Sequence, residues 1–301
     1  KVILNLLYMK SFPKISIITP SYNQAQFLEA TILSVLGQNY PNLEYIIMDG
    51  GSTDHSAEII KKYENQLFFW CSEKDSGQSN AINNGFKKST GEILMWLNSD
   101  DILMPNILHK VAEIYLENRN VLHFGNCIHF NNTDNGLNCF GSNVIKQHQN
   151  YNLKDADYII QPSSFWGRNI WDEIGELSET VHFGFDWEWF LKVEKKFELK
   201  PIAEVISMYR IHDDHKSGTG GRKRQEELLK IYEEFNPRFA KLYSNLMNDD
   251  LDKARNYTSF KIKLKNRLAR NTSFFQKLRI LYPNHYSDFS NKEISDAMGM
   301  L

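Results

Sequence analysis

The sequence predicts an α/β protein, a mostly parallel sheet with helices on both faces, followed by a helical C-terminal tail. Three observations point there. Short β-branched runs alternate with stretches of helical period through the first hundred residues. Three of these runs end in clusters of turn residues, PSYN, DGGSTD and NSDD. With 42% hydrophobic residues and 39 aromatics in 301 positions, the chain also has the material to cover a sheet on both sides.

The first strand is KISIIT, residues 14–19, ending at the Pro20-Ser21 turn. Leu28, Ile32, Val35 and Leu36 then recur at helical spacing until Gly37 supplies a stop. LEYIIMD, residues 43–49, is the second strand and GGSTD its turn, before a helix over 56–63 with Ala57, Ile59 and Ile60 turned inward. LFFWCS is a third strand, residues 79–88 a third helix, and EILMWL a fourth strand that closes on Asn98, Ser99, Asp100 and Asp101. Beyond residue 120 come a strand at 121–130, an aromatic-rich loop region, a short helix at 186–196 and a strand at 205–211, the second half of one domain. Glycines at 217–221 mark a hinge, and a helical tail runs from Arg222 with breaks at Pro237 and Pro283.

Charge and cysteine content exclude several classes. Thirty-five basic against 37 acidic residues argue against a nucleic-acid-binding protein. The balance is uneven: residues 253–279 hold nine Lys or Arg and no acid, leaving 26 basic against 37 acidic, or −11, elsewhere. Cys71, Cys127 and Cys139 form no C-x-x-C pair, so neither a disulfide framework nor a thiolate zinc site is implied and a reducing, cytoplasmic setting is the default. No apolar run approaches the roughly 18–20 residues that span a bilayer. The opening KVILNLLYMK is a poor signal peptide, and the lack of Met at position 1 points to a processed start, with residues 1–13 an extension.

Ligands of open parallel sheets bind at the carboxyl ends of the strands, here PSYN, DGGSTD and NSDD. None is a dinucleotide or P-loop fingerprint. Asp100 and Asp101 are hard oxygen ligands suited to Mg2+ or Mn2+, and a metal there neutralises a diphosphate in a carboxylate-rich crevice. The competing reading is that the two acids cap the helix that follows at Pro105.

Taken together, ISIITPSYN, IIMDGGSTD, EKDSGQSNAINNGF, STGEIL and WLNSDD resemble the nucleotide-sugar-binding half of an inverting family 2 glycosyltransferase. The resemblance continues through QPSSFW (161–166), FDWEWFLK (185–192) and MYRIHDDHKS (208–217), so it covers roughly residues 14–217. It implies a GT-A type, Rossmann-like fold, a divalent metal (Mn2+ or Mg2+), and displacement of the nucleoside diphosphate in one step. Residues 14–101 then form the nucleotide-sugar half, 102–217 the acceptor half, and 218–301 a C-terminal region.

Carried over by position, Pro20, Ser21 and Tyr22 flank base and ribose, and Asp49 bonds a uracil nitrogen. Asp75 and the stretch from Gly77 through Gln78 to Ala81 complete the nucleotide wall. Asp100 contacts ribose or sugar and Asp101 coordinates metal, with His212 as a further metal ligand and Arg210 and Lys216 adding charge beside the leaving group. Asn98 stands where an acid often precedes, which leaves Asp101 the principal metal ligand. Asp186 occupies the position of the catalytic base, the carboxylate that takes the acceptor's proton. Glu188, two residues on, points elsewhere on a helix and reads as a solvated or capping residue. Gln161, Trp166 and Arg168 belong to a loop that borders the acceptor. Trp187 reads as core or as an acceptor platform.

These residues imply transfer from a nucleotide-sugar, a UDP-sugar first, to a saccharide or lipid-linked saccharide in glycan or surface polysaccharide synthesis. The rival is a catalytically silent nucleotide-sugar-binding scaffold at a membrane surface. A sugar-1-phosphate nucleotidyltransferase lacks its Gly-rich loop here. Two readings of residues 253–279 stay open. Phe260, Leu264 and Leu268 amid Lys261, Lys263, Lys265, Arg267 and Arg270 describe either a basic amphipathic helix on anionic membrane or a helix packed on the body or a second subunit of a homo-oligomer.

Overall fold

The computed structural model describes residues 12–133, 136–213, 216–256 and 273–301. The first half alternates as its sequence does: β1 (Ile15–Ser21), α1 (Ala25–Leu36), β2 (Leu43–Asp49), α2 (Ser56–Lys62), β3 (Phe69–Ser72), α3 (Gln78–Lys88) and β4 (Ile93–Trp96). β1 runs parallel to β2 and β4, and β2 parallel to β3. The spatial order β3-β2-β1-β4 therefore sets four carboxyl ends along one edge. Strand alternation sends Ile15, Ile17, Tyr45, Ile47, Ile93 and Met95 to one face, where they join Leu28, Ile32 and Val35 of α1. The other face receives α3, packed so closely that a Cβ on Gly85 would lie 2.4 Å from Ile18 Cγ2. Ser56, rather than the expected Ala57, is the buried residue at the start of α2.

The second half is mixed. It contains β5 (Ile102–Leu103), α4 (Ile107–Glu117), β6 (Val121–Thr133), β7 (Gly136–Gly141), α5 (Val144–Asn150), β8 (Ser164–Gly167), α6 (Arg168–Ile174), α7 (Phe185–Glu194) and β9 (Glu198–Arg210). β8 bridges the halves, antiparallel to both β4 and β6. β6 runs parallel to β9 with register shifts between Phe124 and Cys127. Two differences from the sequence reading have physical causes. β9 begins seven residues before the expected 205, because Pro201 sits opposite Phe124, next to the irregular stretch where a missing N–H is tolerated. β8 lies inside the supposed loop, its four residues too few to display a period.

α7 is held by aromatic packing. Trp96 at the end of β4 meets Trp166 of β8 at 5.4 Å and lies parallel to Phe190 of α7 at 6.5 Å between centroids, and Trp166 meets Trp189 at 4.7 Å. Edge and offset contacts of this kind favour one ring arrangement over others.

The described residues divide into two compact units, one of residues up to 149 with 159–219, the other of 150–158 with 220–301. The second holds α8 (Gly221–Phe235), α9 (Pro237–Asn248), α10 (Leu251–Asn256), α11 (Phe274–Leu281) and α12 (Asn291–Gly299). Pro237 opens α9 at N1 after Asn236, whose side chain accepts from Phe239 N–H, and Ser273 and Ser290 each form a capping box. Within this unit the segment 150–158 is tied to α8 and its end, Tyr232 Oη donating to Asp155 O at 2.9 Å and Asn236 Nδ2 to Asp155 Oδ1 at 2.7 Å. The extension up to residue 11 and the centre of the basic stretch, 257–272, lie outside the described residues.

At the amino ends of the strands, Glu44 of β2 is a buried carboxylate that ties β1, β2 and the turn before β4. It accepts from Ser16 Oγ at 2.8 Å, from Thr90 N–H at 2.7 Å and from Thr90 Oγ1, and pairs with Lys14 Nζ at 3.0 Å. Burial pushes its carboxyl up, but these bonds outweigh it and bring the pKa down to about 2. A depressed folded-state value means stabilisation that is complete above about pH 4.5 and lost as the pH falls toward 2. Allowing for water at the half-exposed Lys14, Glu44→Gln is expected to lose about 2 kcal/mol at pH 7. Urea unfolding across pH should show that deficit shrinking between 4.5 and 2.

Candidate active site

The site grows from the six residues that end β4, Trp96 to Asp101. Their backbone is held from two directions. Thr31 Oγ1 of α1 donates to Ser99 O at 2.9 Å and Asp101 O at 2.7 Å, and Gln161 Nε2 donates to Trp96 O at 2.8 Å. The turn closes with Asp101 N–H on Asn98 O at 3.1 Å. Neither acid caps α4, which starts at Ile107 after Asn106, so the helix-cap reading is set aside.

Asp101 is 1% exposed. Its Oδ1 accepts from Arg210 N–H at 3.1 Å, and Asn98 Nδ2 stands 3.5 Å from Oδ2. Burial, with the Asp100 charge next, pushes the Asp101 carboxyl well above the usual carboxylate range. Arg210 donates Nε to Asp100 O at 3.0 Å and lies between the rings of Phe27 and Phe130, 4.7 and 4.5 Å from their centroids. His212 Nε2 is 3.1 Å from Asp100 Oδ2. The imidazole thus partners Asp100, and among the described residues no group of three His, Cys, Asp or Glu gathers into a metal cluster.

A second line of contacts joins this turn to α3 and the segment after β9. Gln78 Nε2 donates to Asn98 Oδ1 at 2.8 Å, and Lys216 Nζ to Gln78 Oε1 at 2.9 Å. The Lys216 ammonium also sits 4.8 Å from the Phe185 ring, next to Asp186. Asp186 is half-buried in the first turn of α7, where its Oδ1 accepts from Trp187 N–H at 3.0 Å.

A third group lies at the ends of β1, β2 and β3. The Asp49 carboxylate, 2% exposed, accepts from Ser52 N–H at 2.9 Å, Ser52 Oγ at 2.6 Å and Ser72 Oγ at 2.6 Å. The tight turn between them needs Gly51 at φ +79°. Asp75 accepts from Gly77 N–H at 2.8 Å, and burial, joined by the charges of Asp49 and Glu179, raises its pKa. Pro20 is buried in β1, Ser21 Oγ is buried without a partner, and Tyr22 is 60% exposed.

Several expected contacts are corrected by burial. Trp166 and Trp187 are 0% and 1% exposed, core residues with no face to offer a sugar. Gln161, 5% exposed, supports the β4 turn rather than an acceptor. Ala81, 3% exposed, packs inside α3 and adds nothing to a nucleotide wall. Arg168 bonds Gly91 O and Ser89 Oγ at the opposite end of β4. Glu188 is neither solvated nor a cap: it is 8% exposed and paired with Lys192 at 2.8 Å. Thr31 and Phe27 are not legible in the sequence, because a threonine and a phenylalanine on an apolar helix carry no signal of the distant residues they meet.

A parallel half whose strands end in an acidic turn, extended by a mixed half around a tryptophan cluster, is the architecture of GT-A glycosyltransferases. Solved structures agree. Residues 1–349 of TarS from S. aureus superpose with a TM-score of 0.59 at 16% identity, covering 95% of this chain and 90% of that one, and the same fragment has also been solved with UDP and with UDP-GlcNAc. A mannosyltransferase from Pyrobaculum calidifontis, solved with GDP-Man and Mn2+, gives 0.63 at 16% identity, covering 97% and 86%.

The chain belongs to glycosyl transferase family 2, whose sequence profile matches residues 16–169. An uncharacterized glycosyltransferase of Rickettsia typhi is 26% identical over 225 residues, 71% of this chain and 69% of that protein. A putative teichuronic acid biosynthesis glycosyltransferase of Bacillus subtilis is 36% identical over 108 residues, 35% of this chain and 43% of that one.

Thr31→Val keeps the shape of the side chain but strips two buried carbonyls of their donor. Urea unfolding is expected to show a loss of about 1–3 kcal/mol.

Proposed function

We propose that this protein transfers a sugar from a nucleoside diphosphate sugar, UDP-sugars first, to a hydroxyl of a saccharide or lipid-linked saccharide, with inversion. The observation that carries the reading is the buried Asp101 carboxylate in a turn tied at once to α1, α3 and the residues that follow β9. An acid so placed is poorly compensated by protein alone, and a divalent cation relieves it. Asp101 and His212 are the residues that would hold Mn2+ or Mg2+, ions that take oxygen ligands readily. When bound, the ion offsets charge on the departing diphosphate. The ligands in the solved structures, UDP, UDP-GlcNAc and GDP-Man, support a nucleotide donor.

The chain's own residues supply the rest. Tyr22 offers an exposed aromatic face to the base, while Ser21 Oγ and Asp49 line its polar edge. Asp75, Gly77, Gln78, Asn98 and Asp100 border the ribose and diphosphate. Lys216 and Arg210 bring positive charge to the same edge. Asp186 takes the proton from the acceptor hydroxyl as that oxygen bonds the anomeric carbon, and the electron pair of the breaking bond leaves on the diphosphate. A single displacement inverts the anomeric centre.

Two variants separate the roles. Asp101→Ala is expected to abolish Mn2+-dependent UDP binding in calorimetry. Asp186→Asn should bind UDP as the parent does and lose transfer by at least about 100-fold, the lower end of general-base contributions. Parental turnover by Asp186→Asn moves the base elsewhere.

No helix among the described residues is long and apolar enough to cross a membrane. We propose that residues 253–279 rest on anionic lipid, to which each basic residue near the surface contributes about 1 kcal/mol. Cosedimentation with liposomes is expected to rise with anionic lipid and fall with salt. Indifference to anionic liposomes at low salt assigns the segment to packing or to an oligomer contact.

A further inference from the structure

Between α6 and α7 the chain crosses α3, and the crossing is anchored at its start and through residues 176–179. At its start, Trp189 Nε1 of α7 donates to Gly175 O at 2.9 Å. Lys87 Nζ of α3 pairs with Glu176 Oε1 at 3.0 Å. Asn83, 1% exposed, exchanges two hydrogen bonds with the backbone of Leu177, Nδ2 donating to its O at 3.0 Å and Oδ1 accepting from its N–H at 2.9 Å. The Glu179 carboxylate then accepts from Asn80 Nδ2 at 3.0 Å, Asn83 Nδ2 at 3.2 Å and Ser76 Oγ at 3.2 Å. At the far end Gly184 is the N-cap of α7, its carbonyl accepting from Glu188 N–H at 2.9 Å, and Asp186 follows two residues later.

We infer that residues 176–179 form a strap that fixes the first turn of α7 against α3, and that Glu179 and Asn83 are positioning residues for Asp186. This rests on the reading of Asp186 as the base. The same helix α3 carries Gln78, which touches both Asn98 and Lys216, so the strap sets the distance between the donor wall and the proton acceptor. Leu177 buries the middle of the strap, but Glu179 is exposed and contributes no core packing, so its hydrogen bonds to Ser76, Asn80 and Asn83 serve to select one loop conformation from many. Positioning of a reacting group is sensitive to such restraints, because an error of about 1 Å costs up to about 100-fold in rate.

The test measures UDP release from UDP-GlcNAc with Mn2+, UDP affinity by calorimetry, and Tm. Glu179→Ala is expected to lower kcat about tenfold, with UDP affinity within about twofold of the parent and Tm shifted by no more than about 3 °C. Glu179→Gln, whose Oε1 still accepts from Asn80, should recover part of the rate. In the Asp186→Asn background, Glu179→Ala should cost nothing further, since it acts through Asp186. Parental kcat in Glu179→Ala alongside an inactive Asp186→Asn overturns the strap and leaves the base in place. Rate losses that add in the double variant, or that track a fall in both UDP affinity and Tm, overturn it as well. Parental turnover by Asp186→Asn overturns the base reading itself.

Discussion

The site depends on how the end of β4 is held. Trp96 packs its ring into the cluster that seats α7, and its carbonyl takes a hydrogen bond from Gln161. Five residues later Asp101 is fully enclosed. Between these points the chain makes a turn whose carbonyls are bonded by Thr31 and whose carboxylate is bonded by Arg210. A strand buried on both faces cannot slide, because a one-residue shift exchanges its core faces. The acidic turn inherits that rigidity, and so does any group it binds.

Charge explains the second layer. Asp100 and Asp101 are adjacent acids, one partly and one fully buried, and the molecule surrounds them with Arg210, His212 and, through Gln78, Lys216. Burial lowers the Arg210 pKa while the two acids pull it back up. The two rings that sandwich the guanidinium hold it without neutralising it. Acid and base thus stand within hydrogen-bond reach of one another along one short stretch of backbone.

Much of this was legible in the primary structure and some was not. The four parallel strands and three helices of the first half follow from local periods, and NSDD declared itself as a strand-end acidic turn. Burial was harder. Trp166, Trp187 and Gln161 lie in motifs that resemble an acceptor border, yet their side chains support the core and the β4 turn. Glu188 shows the same difficulty: helix geometry says that it points away from Asp186, but only packing shows that it is enclosed with Lys192.

What the sequence alone determined was the alternation of elements and the edge of the sheet at which the turns PSYN, DGGSTD and NSDD fall, since each is written in short local patterns. What only tertiary structure decided was which of those residues meet. Arg210 reaches Asp101 across 109 positions and Lys216 reaches Gln78 across 138, while Leu177 and Glu179 find α3 from nearly a hundred residues away. Periodicity reports the face on which a side chain leaves its own helix or strand. It carries no information about what another element, brought alongside by the antiparallel β8 and the irregular β6–β9 pair, presents to that face.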